Sequence, residues 1–512
     1  IQKDLLWVGT DDGQVNISKD GGKTWDNVSK NVGFPEGAWI TQIKASSYNK
    51  NEAFLVANDY RRFNEKPMVF RTLDYGQTWE SIVDENEEMG YSLSIVQDPI
   101  EPNLIFLGAS DGLYVSIDGS GNWTKWTEGM PNVNVMDMVI HPRESDLVIA
   151  TFGRAAYVLD DISPLRAVAA KPTLLDRKVN LFTPPDAYLV TKQQPTGSRF
   201  GADGMFHGEN RSANARISYY VQIPAEKGTA KESPSTDSKK KSKKEANSTI
   251  ASIEVDTIKY DTITFDIYHQ DELIRTIAIK QPEESGFHKI EWGLDEKGPN
   301  RISRSSSSNS TRRQRERGGV DVLPGNYLIK MTYGNQQDST NIRVSYDPRI
   351  ALSENDLRLK QESLKALERS ADRLSIGVDR IKESLALVSQ FEKGLKDMDK
   401  ELYKEEIKMC KTTKDSLTVL MDIVFGKEDD RQGITKNPFN TLYGHYNNAY
   451  RYTANGLHTP GLTEQKLTAK FEVALQQALD RINNFYESEW PKFRIAIEPI
   501  EINKFKEYSK IE

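Results

Sequence analysis

The feature that most constrains the fold is a short motif, Ser/Thr-x-Asp-x-Gly-x-x-Trp, that occurs three times near the start of the chain. Its defining residues are Ser18, Asp20, Gly22 and Trp25 in the first copy, Thr72, Asp74, Gly76 and Trp79 in the second, and Ser116, Asp118 and Trp123 in the third, which has Ser120 in place of Gly. The motif aspartates lie about 50 residues apart, a period typical of repeats that contain four short strands each. The repeat therefore predicts β-propeller blades in this part of the chain.

Strand-like runs joined by tight turns accompany each motif. We predict that the first strand of each blade lines the central channel, at Trp39–Ala45, Tyr91–Gln97 and Asn134–Ile140. Three or four blades do not close well into a wheel, because propellers typically have about 4–8 blades and unpaired edges attract other strands. The chain starts at Ile1 rather than Met and is interpreted as a processed or truncated product. The remaining blades are expected from residues outside this chain or from another chain.

The motif aspartates have a structural explanation that needs no catalysis. A carboxylate at this position accepts backbone N–H bonds in the turn between the third and fourth strands, Gly supplies a positive φ, and Trp packs between blades. Turn chemistry also explains the acidic residues between the second and third strands, which are Asp11, Asp12, Asp59 and Asp111. Two distant carboxylates for glycoside hydrolysis would leave no local signature, so that alternative stays open.

Aromatic and arginine side chains are concentrated in the loops on the presumed ligand face of the blades. These candidate ligand-binding residues are Trp39, Tyr60, Arg61, Arg62, Phe63, Tyr91 and Arg154. Aromatic rings together with guanidinium groups suit a sugar face, a carboxylate or a peptide terminus. The alternative is that these side chains only stack on one another and solvate the rim of the fold.

The whole chain is predicted to be mainly β with a C-terminal α domain. We divide it into blades of an incomplete wheel at 1–165, a connector with the first sandwich strands at 166–225, a flexible Ser/Lys-rich loop at 226–249, a β-sandwich at 250–348 that includes a flexible loop at 301–319, a helical bundle at 349–495 and a tail at 496–512. Alternating apolar residues in the fourth segment predict the hairpins of an immunoglobulin-like sandwich. The basic runs in both flexible loops are interpreted as solvated linkers, with a polyanion or lipid-headgroup patch as the alternative.

Three stripes of apolar residues at alternating spacings of three and four predict an antiparallel helical bundle, with a partner-binding coiled coil as the alternative. The run from Ser353 to Asp356 resembles a capping box at the start of the first helix. Cys410 lies on the second stripe and is interpreted as a buried apolar residue rather than a nucleophile. Asn437–Pro460 is rich in Asn, Tyr and Gly, so we expect an ordered loop there.

Composition and missing motifs argue against several classes of protein. The formal net charge of −7 is spread along the chain, whereas a nucleic-acid binder needs a concentrated basic face. No apolar run is long enough for a transmembrane helix. The six histidines and the single cysteine lack metal-ligand spacing, and no nucleotide-binding or nucleophile-elbow motif is present. We therefore expect no metal, no cofactor and no nucleic-acid partner.

Several motifs together resemble one family of bacterial proteins. The runs from Leu6 to Gly13 and from Gly153 to Pro164, the pair Asp98-Pro99 and the Asp-box motifs are similar to the C-terminal half of sortilin-like BNR (Asp-box) propeller proteins. Members are often labelled "glycosyl hydrolase, BNR repeat". Phe152 departs from the family pattern, which has His before Gly-Arg.

The resemblance implies an exported protein of the periplasm, the outer-membrane surface or the extracellular space, in which further N-terminal blades complete the wheel. Sortilin-type propellers bind peptides or proteins in or near the channel. We therefore predict a non-catalytic protein that binds a polypeptide partner or is a subunit of a cell-envelope complex. The alternative is a glycoside hydrolase or glycan-binding protein of the Asp-box type, and no catalytic residue is assigned.

Overall fold

The computed structural model describes residues 2–84, 88–190, 211–223, 262–305, 317–351, 353–427 and 440–500. In these ranges the chain is mainly β as far as Tyr346 and helical from Glu354 to Ile497. The predicted flexible loop at 226–249 lies outside the described residues, as does most of the predicted loop at 301–319.

Four antiparallel sheets follow one another in the first part of the chain, and the strands of each sheet pair in chain order. Sheet A contains Leu6–Gly9, Val15–Ser18 and Asp26–Asn27; sheet B contains Trp39–Ala45, Ala53–Asp59, Asn64–Thr72 and Glu80–Ser81; sheet C contains Ser92–Gln97, Ile105–Ala109, Gly112–Ser116 and Thr124–Trp126; sheet D contains Val135–Ile140, Leu147–Thr151 and Ala156–Leu159. The three predicted first strands are confirmed to within one residue.

Apolar side chains join each sheet to the next. Ile17 of sheet A packs in one core with Leu55 of sheet B, and Val56 of sheet B packs with Leu107 of sheet C. A third core joins sheet C to sheet D. Sheet A begins with the strand that corresponds to the second strand of sheets B and C, and sheet D ends at its third strand. Within the described residues the four sheets do not form a closed ring.

A short helix, α1 (Ser163–Ala170), anchors sheet D to sheet C through a buried ion pair. Arg166 Nε donates to Asp98 Oδ2 at 2.8 Å, and Asp98 Oδ1 accepts the backbone N–H groups of Ile100 and Glu101, each at 2.8 Å. The Asp98 side chain is fully buried and that of Arg166 is nearly so. The predicted boundary between the blades at 1–165 and the connector at 166–225 falls inside this helix, which the sequence pattern did not predict.

Two further sheets share one hydrophobic core, whose largest side chains include Trp292, Tyr219 and Tyr327. Sheet E contains Val179–Leu181, Ala215–Val221 and Gly286–Trp292; sheet F contains Ala187–Leu189, Gln336–Tyr346, Gly325–Tyr333, Thr262–His269 and Glu272–Lys280; Asp295–Lys297 and Gly318–Asp321 form a separate ladder. The described residues from Thr262 to Tyr346 contain the strands of these sheets, in the segment for which the sequence predicts hairpins. The parallel pairing of Ala187–Leu189 with Gln336–Tyr346 was not predicted.

Charged side chains join sheet D to sheet E. The Arg211 guanidinium contacts Glu144 Oε2 at 3.0 Å, Asp160 Oδ1 at 2.9 Å and the Asp146 carboxylate. Lys289 Nζ donates to the backbone carbonyl of Asp160 at 2.8 Å. This network holds the end of sheet D against the next part of the chain.

Among the described residues of the C-terminal region, four helices share one core. They are α2 (Glu354–Met398), α3 (Lys404–Phe425), α4 (Leu442–Asn455) and α5 (Leu462–Ile497). The three predicted apolar stripes are buried, Cys410 is fully buried, and Ser353 Oγ accepts the Asp356 N–H at 3.3 Å as the N-cap of α2. No helix among the described residues is both long and apolar enough to cross a membrane.

The predicted loop at Asn437–Pro460 is wrong, because residues Leu442–Asn455 form α4. Asn, Tyr and Gly have low helix propensity, so the local signal was weak. Packing overrides it here, since Leu442 and Ala449 are buried in the helical core and a row of tyrosines packs beside them.

Glu368 of α2 is a buried acidic residue at the contact between helices. Its carboxylate accepts a hydrogen bond from the Tyr450 hydroxyl of α4 at 3.2 Å. Burial raises the pKa of Glu368 to about 7, the Tyr450 bond offsets part of this rise, and the charges of Glu296 and Asp372 raise the pKa further. The group therefore holds its proton well above the pH at which it would lose it in the unfolded chain.

We predict that Arg166→Ala lowers the free energy of unfolding of the sheet region by about 3–5 kcal/mol, because Asp98 is left as an uncompensated buried charge. Urea unfolding followed by tryptophan fluorescence measures the loss. Arg143→Ala removes the exposed ion pair with Glu144 and serves as the matched control, with an expected change below about 0.5 kcal/mol. Equal effects of the two substitutions would contradict the prediction.

We predict that the helical region loses stability as the pH rises from about 4.5 to about 7, because the unfolded chain ionises Glu368 before the folded chain does. Below this pH range Glu368 is protonated in both the folded and the unfolded chain, so it does not change the free energy of unfolding. Glu368→Gln should therefore match the wild type at low pH and exceed it by up to about 3 kcal/mol at pH 8. Thermal unfolding of both proteins across this pH range tests the prediction. Glu362→Gln, which changes an exposed glutamate of the same helix, is the control. A wild-type advantage at pH 8 would disprove it.

Candidate functional site

The three motif aspartates bind the turns in which they lie. Asp20 Oδ1 accepts the N–H groups of Lys23 at 3.0 Å and Thr24 at 2.9 Å, and its Oδ2 accepts the Thr24 hydroxyl at 2.7 Å. Asp74 repeats the pattern with Thr78, and Asp118 repeats it with Asn122. Each motif aspartate therefore accepts hydrogen bonds within the turn between the third and fourth strands.

A second repeated contact ties each motif to its own sheet. The residue after each motif aspartate has a positive φ and donates its backbone N–H to a carbonyl that precedes the second strand. These bonds are Gly21 to Asp4 at 2.9 Å, Tyr75 to Asn51 at 3.0 Å and Gly119 to Asn103 at 2.9 Å. The motif pattern did not reveal them, because each acceptor is a backbone carbonyl that lies outside the motif.

The motif tryptophans differ in their surroundings. Trp79 packs edge-on against Trp7 of sheet A with ring centroids 6.0 Å apart, and Trp123 Nε1 donates to the Ile82 carbonyl at 2.8 Å, near the end of sheet B. These two residues contact the preceding sheet in each case. Trp25 is exposed, because no described sheet precedes sheet A.

Hydrogen bonding keeps the motif carboxyl groups ionised. The backbone and hydroxyl bonds from Thr24 lower the pKa of Asp20 to about 2. Burial alone would raise the pKa of Asp74 and Asp118, but hydrogen bonds from Thr78 and Asn122 outweigh it and lower both. A general acid needs a pKa near the working pH, so these groups are unsuited to that role.

Four of the predicted ligand-binding residues form a compact cluster, which we call the aromatic patch: Trp39, Tyr60, Arg61 and Tyr91. The rings of Tyr60 and Tyr91 are stacked, with centroids 4.8 Å apart and planes 15° apart. The Tyr60 ring lies 6.5 Å from that of Trp39. The Arg61 guanidinium carbon lies 4.5 Å from the Trp39 ring centroid, so the cation covers one indole face.

Short local elements position the patch. Trp39 is the first residue of its strand, and Tyr60 and Arg61 lie in a single 3₁₀ turn at Tyr60–Arg62 that connects the second and third strands of sheet B. Tyr91 immediately precedes the first strand of sheet C, and its hydroxyl accepts a hydrogen bond from Asn134 Nδ2 at 3.2 Å. Asn134 was predicted only as the start of a strand. Its contact with Tyr91 spans 43 positions and leaves no local sequence signal.

The other three predicted residues have different roles or positions. Arg62 Nε bonds Asp59 Oδ1 at 2.6 Å and its Nη2 donates to the Glu36 carbonyl at 2.7 Å, so it braces the turn. Phe63 has a φ of 61° and is 97% exposed. Arg154 is exposed in the loop that follows Thr151 in sheet D.

The acidic residues considered for hydrolysis are mostly engaged in the fold. Asp59 pairs with Arg62, and Asp111 Oδ2 accepts bonds from Lys125 Nζ and the Tyr114 hydroxyl, each at 2.7 Å. Burial would raise the pKa of Asp111, but these bonds outweigh it and lower the pKa. In the described ranges, the carboxyl groups with a raised pKa are Asp295, Asp321 and Glu368, all outside sheets A to D.

Metal binding finds no support in the parts of the chain that the structure describes, where no three His, Cys, Asp or Glu side chains are placed to hold an ion.

The aromatic patch offers ring faces, hydroxyl groups and one cation. These groups suit binding rather than bond cleavage.

Comparisons with known proteins do not identify a family for this chain. No protein-family model matches the chain, and no curated protein matches it. Solved structures with similar segments include YCF48 bound to D1 peptide, with 14% identity over 43% of this chain and 60% of that chain and a TM-score of 0.24. The GH74 xyloglucanase from Xanthomonas campestris has 14% identity over 71% of this chain and 46% of that chain, with a TM-score of 0.26.

AztD from Citrobacter koseri is a third similar structure, with 9% identity over 31% of this chain and 46% of that chain and a TM-score of 0.21. This chain therefore spans less than two thirds of each of the three structures. TM-scores of this size do not establish a common fold.

We predict that Ser120→Gly stabilises sheet C by about 0.5–1 kcal/mol, after allowance for the added freedom of the unfolded chain. Ser120 has a φ of 84°, whereas Gly22 and Gly76 fill the corresponding positions at 89° and 81°. Urea unfolding followed by fluorescence measures the gain. Gly22→Ala is the opposite control: its added Cβ would meet nothing closer than 3.6 Å, so any loss reports backbone strain. A loss with Ser120→Gly would refute the prediction.

Proposed function

We propose that this protein is a non-catalytic binding protein whose sheets A to D are blades of an Asp-box propeller, and that it binds a polypeptide segment at the aromatic patch. The repeated turn geometry at Asp20, Asp74 and Asp118 supports the propeller assignment. The resemblance of the sequence to sortilin-like BNR proteins supports it as well.

The surroundings of the Arg61 guanidinium are the observation that supports the binding role. Its guanidinium lies over the Trp39 ring and makes no hydrogen bond or ion pair with any described residue. An arginine held by an aromatic face presents a planar set of N–H donors whose orientation is already restricted. Backbone carbonyls and carboxylates of a polypeptide are suitable acceptors for these donors.

The ring faces favour a polypeptide over a sugar. Sugars bind aromatic residues by stacking on an open face, but Tyr60 and Tyr91 cover one face of each other. Arg61 covers a face of Trp39 in the same way. Each of these contacts removes one ring face on which a sugar could stack, whereas the hydroxyl groups and the cation suit peptide groups and side chains.

We further propose that the protein acts outside the cytoplasm as part of a cell-envelope complex. The resemblance of the sequence to exported propeller proteins supports this location. Fractionation of native cells, followed by recovery of the protein with its associated chains, tests it. Recovery from the cytoplasm as a free chain would count against it.

We predict that a heptapeptide selected from a random phage-displayed library on the wild-type protein binds Arg61→Ala at least about tenfold more weakly, a loss of about 1.4 kcal/mol. Arg61→Lys should be intermediate, because it retains the charge without the planar donors. Phe63→Asn is the control, since Phe63 is exposed beside the patch and Asn tolerates its left-handed backbone.

Fluorescence titration with the synthetic peptide measures binding, and near-ultraviolet circular dichroism checks the folding of each variant. Selection of no peptide above background, or equal affinity for wild type and Arg61→Ala, would contradict a polypeptide site. Binding of cello-oligosaccharides that depends on Trp39 and Tyr91 would instead favour the glycan-binding alternative.

A further inference from the structure

A turn of sheet D presents an aromatic ring and an arginine beside the aromatic patch. The turn, at 152–155, connects the second and third strands of sheet D, as the turn at Tyr60–Arg62 does in sheet B. Phe152 is 74% exposed. Arg154 is also exposed, and it makes no hydrogen bond or ion pair with any described residue. Sheet D therefore repeats the combination of ring and cation that the patch has on sheet B.

Hydrogen bonds hold the sheet D turn in one shape. The Thr151 backbone N–H donates to the Ala155 carbonyl at 3.0 Å, and the Thr151 hydroxyl donates to the same oxygen at 2.6 Å. Gly153 has a φ of 95° and Ala155 has a φ of 60°. A left-handed backbone costs a residue other than Gly about 1–2 kcal/mol, so the surrounding contacts must enforce it at Ala155. Arg154 therefore projects from a turn of fixed geometry.

Asn134 joins this turn to the aromatic patch. Its carbonyl accepts the Phe152 N–H at 2.9 Å, and its side-chain Nδ2 donates to the Tyr91 hydroxyl at 3.2 Å. Tyr91 in turn stacks on Tyr60. A continuous row of contacts therefore runs from the patch on sheet B, past the start of sheet C, to the turn of sheet D.

Arg61 and Arg154 lie at the two ends of this row. Packed sheets are about 10 Å apart and sheet C lies between sheets B and D, so we estimate that about 15–20 Å separates the two cations. An extended polypeptide rises about 3.3 Å per residue, so about five or six residues span this distance. The two arginines are therefore too far apart to bind one carboxylate together.

Exposed carboxylates surround the cation of the aromatic patch. Asp11 is exposed in the corresponding turn of sheet A, and Glu65 is exposed just after the turn at Tyr60–Arg62. Glu36 is exposed as well, and its backbone carbonyl binds Arg62. These acids repel a uniformly anionic surface such as lipid headgroups, and they leave separate positions at which a ligand acid is attracted. The charge pattern therefore favours a segment with two separated acids over a polyanion.

We propose that the aromatic patch and the sheet D turn form one site, which binds an extended polypeptide segment with two acidic side chains about five or six residues apart. One acid pairs with Arg61 and the other with Arg154, because guanidinium groups bind carboxylates through two parallel N–H donors. The Tyr60–Tyr91 stack and Phe152 contact the residues between the acids. This inference rests on the polypeptide binding proposed above and adds the charge and the length of the ligand.

The sequences of the heptapeptides selected on the wild-type protein give the first test. Asp or Glu should occur about five or six positions apart more often than in the unselected library. Selected peptides that lack this pair of acids would overturn the inference, although they would leave polypeptide binding itself supported. Selection of no peptide would contradict both proposals.

Substitution of Arg154 gives the second test, with a selected peptide synthesised with capped ends as the probe. Arg154→Ala should weaken binding at least about tenfold in a fluorescence titration. Replacement of the matching acid of the peptide by Gln should remove this sensitivity. Arg143→Ala is the matched control and should bind normally, since Arg143 is an exposed arginine that follows the first strand of sheet D, at the opposite end of the sheet.

The two arginine variants separate this inference from the proposed function. A loss of affinity with Arg61→Ala but none with Arg154→Ala would confine the ligand to the aromatic patch and overturn the inference alone. No loss with either variant would contradict both. Binding of phosphatidylglycerol vesicles that Arg154→Ala abolishes, without peptide binding, would overturn the inference and assign this surface to a membrane.

Discussion

The turn between the third and fourth strands is the constraint on which the sheet region depends. The aspartate of each motif satisfies backbone N–H groups within this turn, and the next residue bonds a carbonyl ahead of the second strand. Together the two contacts fix the turn between the third and fourth strands relative to the start of the second strand. Because neighbouring strands are antiparallel, the turn between the second and third strands must then emerge at the opposite end of the sheet. The aromatic patch is built on that end.

Adjacent arginines in the same turn serve different purposes. Arg62 is used by the fold, because Asp59 and the Glu36 carbonyl take its donors. Arg61 lies over the Trp39 ring and makes no hydrogen bond or ion pair with a described residue. Sequence alone gave both residues the same role. The two side chains leave the same 3₁₀ turn in different directions, and only the structure shows which of them braces the turn.

Predictions from periodicity succeeded where one local pattern decides the structure. Strands with alternating burial and helices with apolar stripes were found where expected, since each pattern describes one buried face. Helix α4 was missed because its burial depends on partners in other helices. The parallel partner of Gln336–Tyr346 and the contact of Asn134 with Tyr91 were missed for a similar reason. Contacts between distant segments leave no periodic trace in either segment.

The sequence by itself determined the repeat, the turns in which its aspartates lie, the order of sheet and helix regions, and the four residues that the structure brings together in the aromatic patch. Each of these follows from residues close together in the chain, where covalent spacing already limits the geometry. Tertiary structure alone decided that Arg166 neutralises Asp98 and that Glu368 is buried beside Tyr450. These features depend on which surfaces meet, and burial is a property of the packed chain rather than of any one segment.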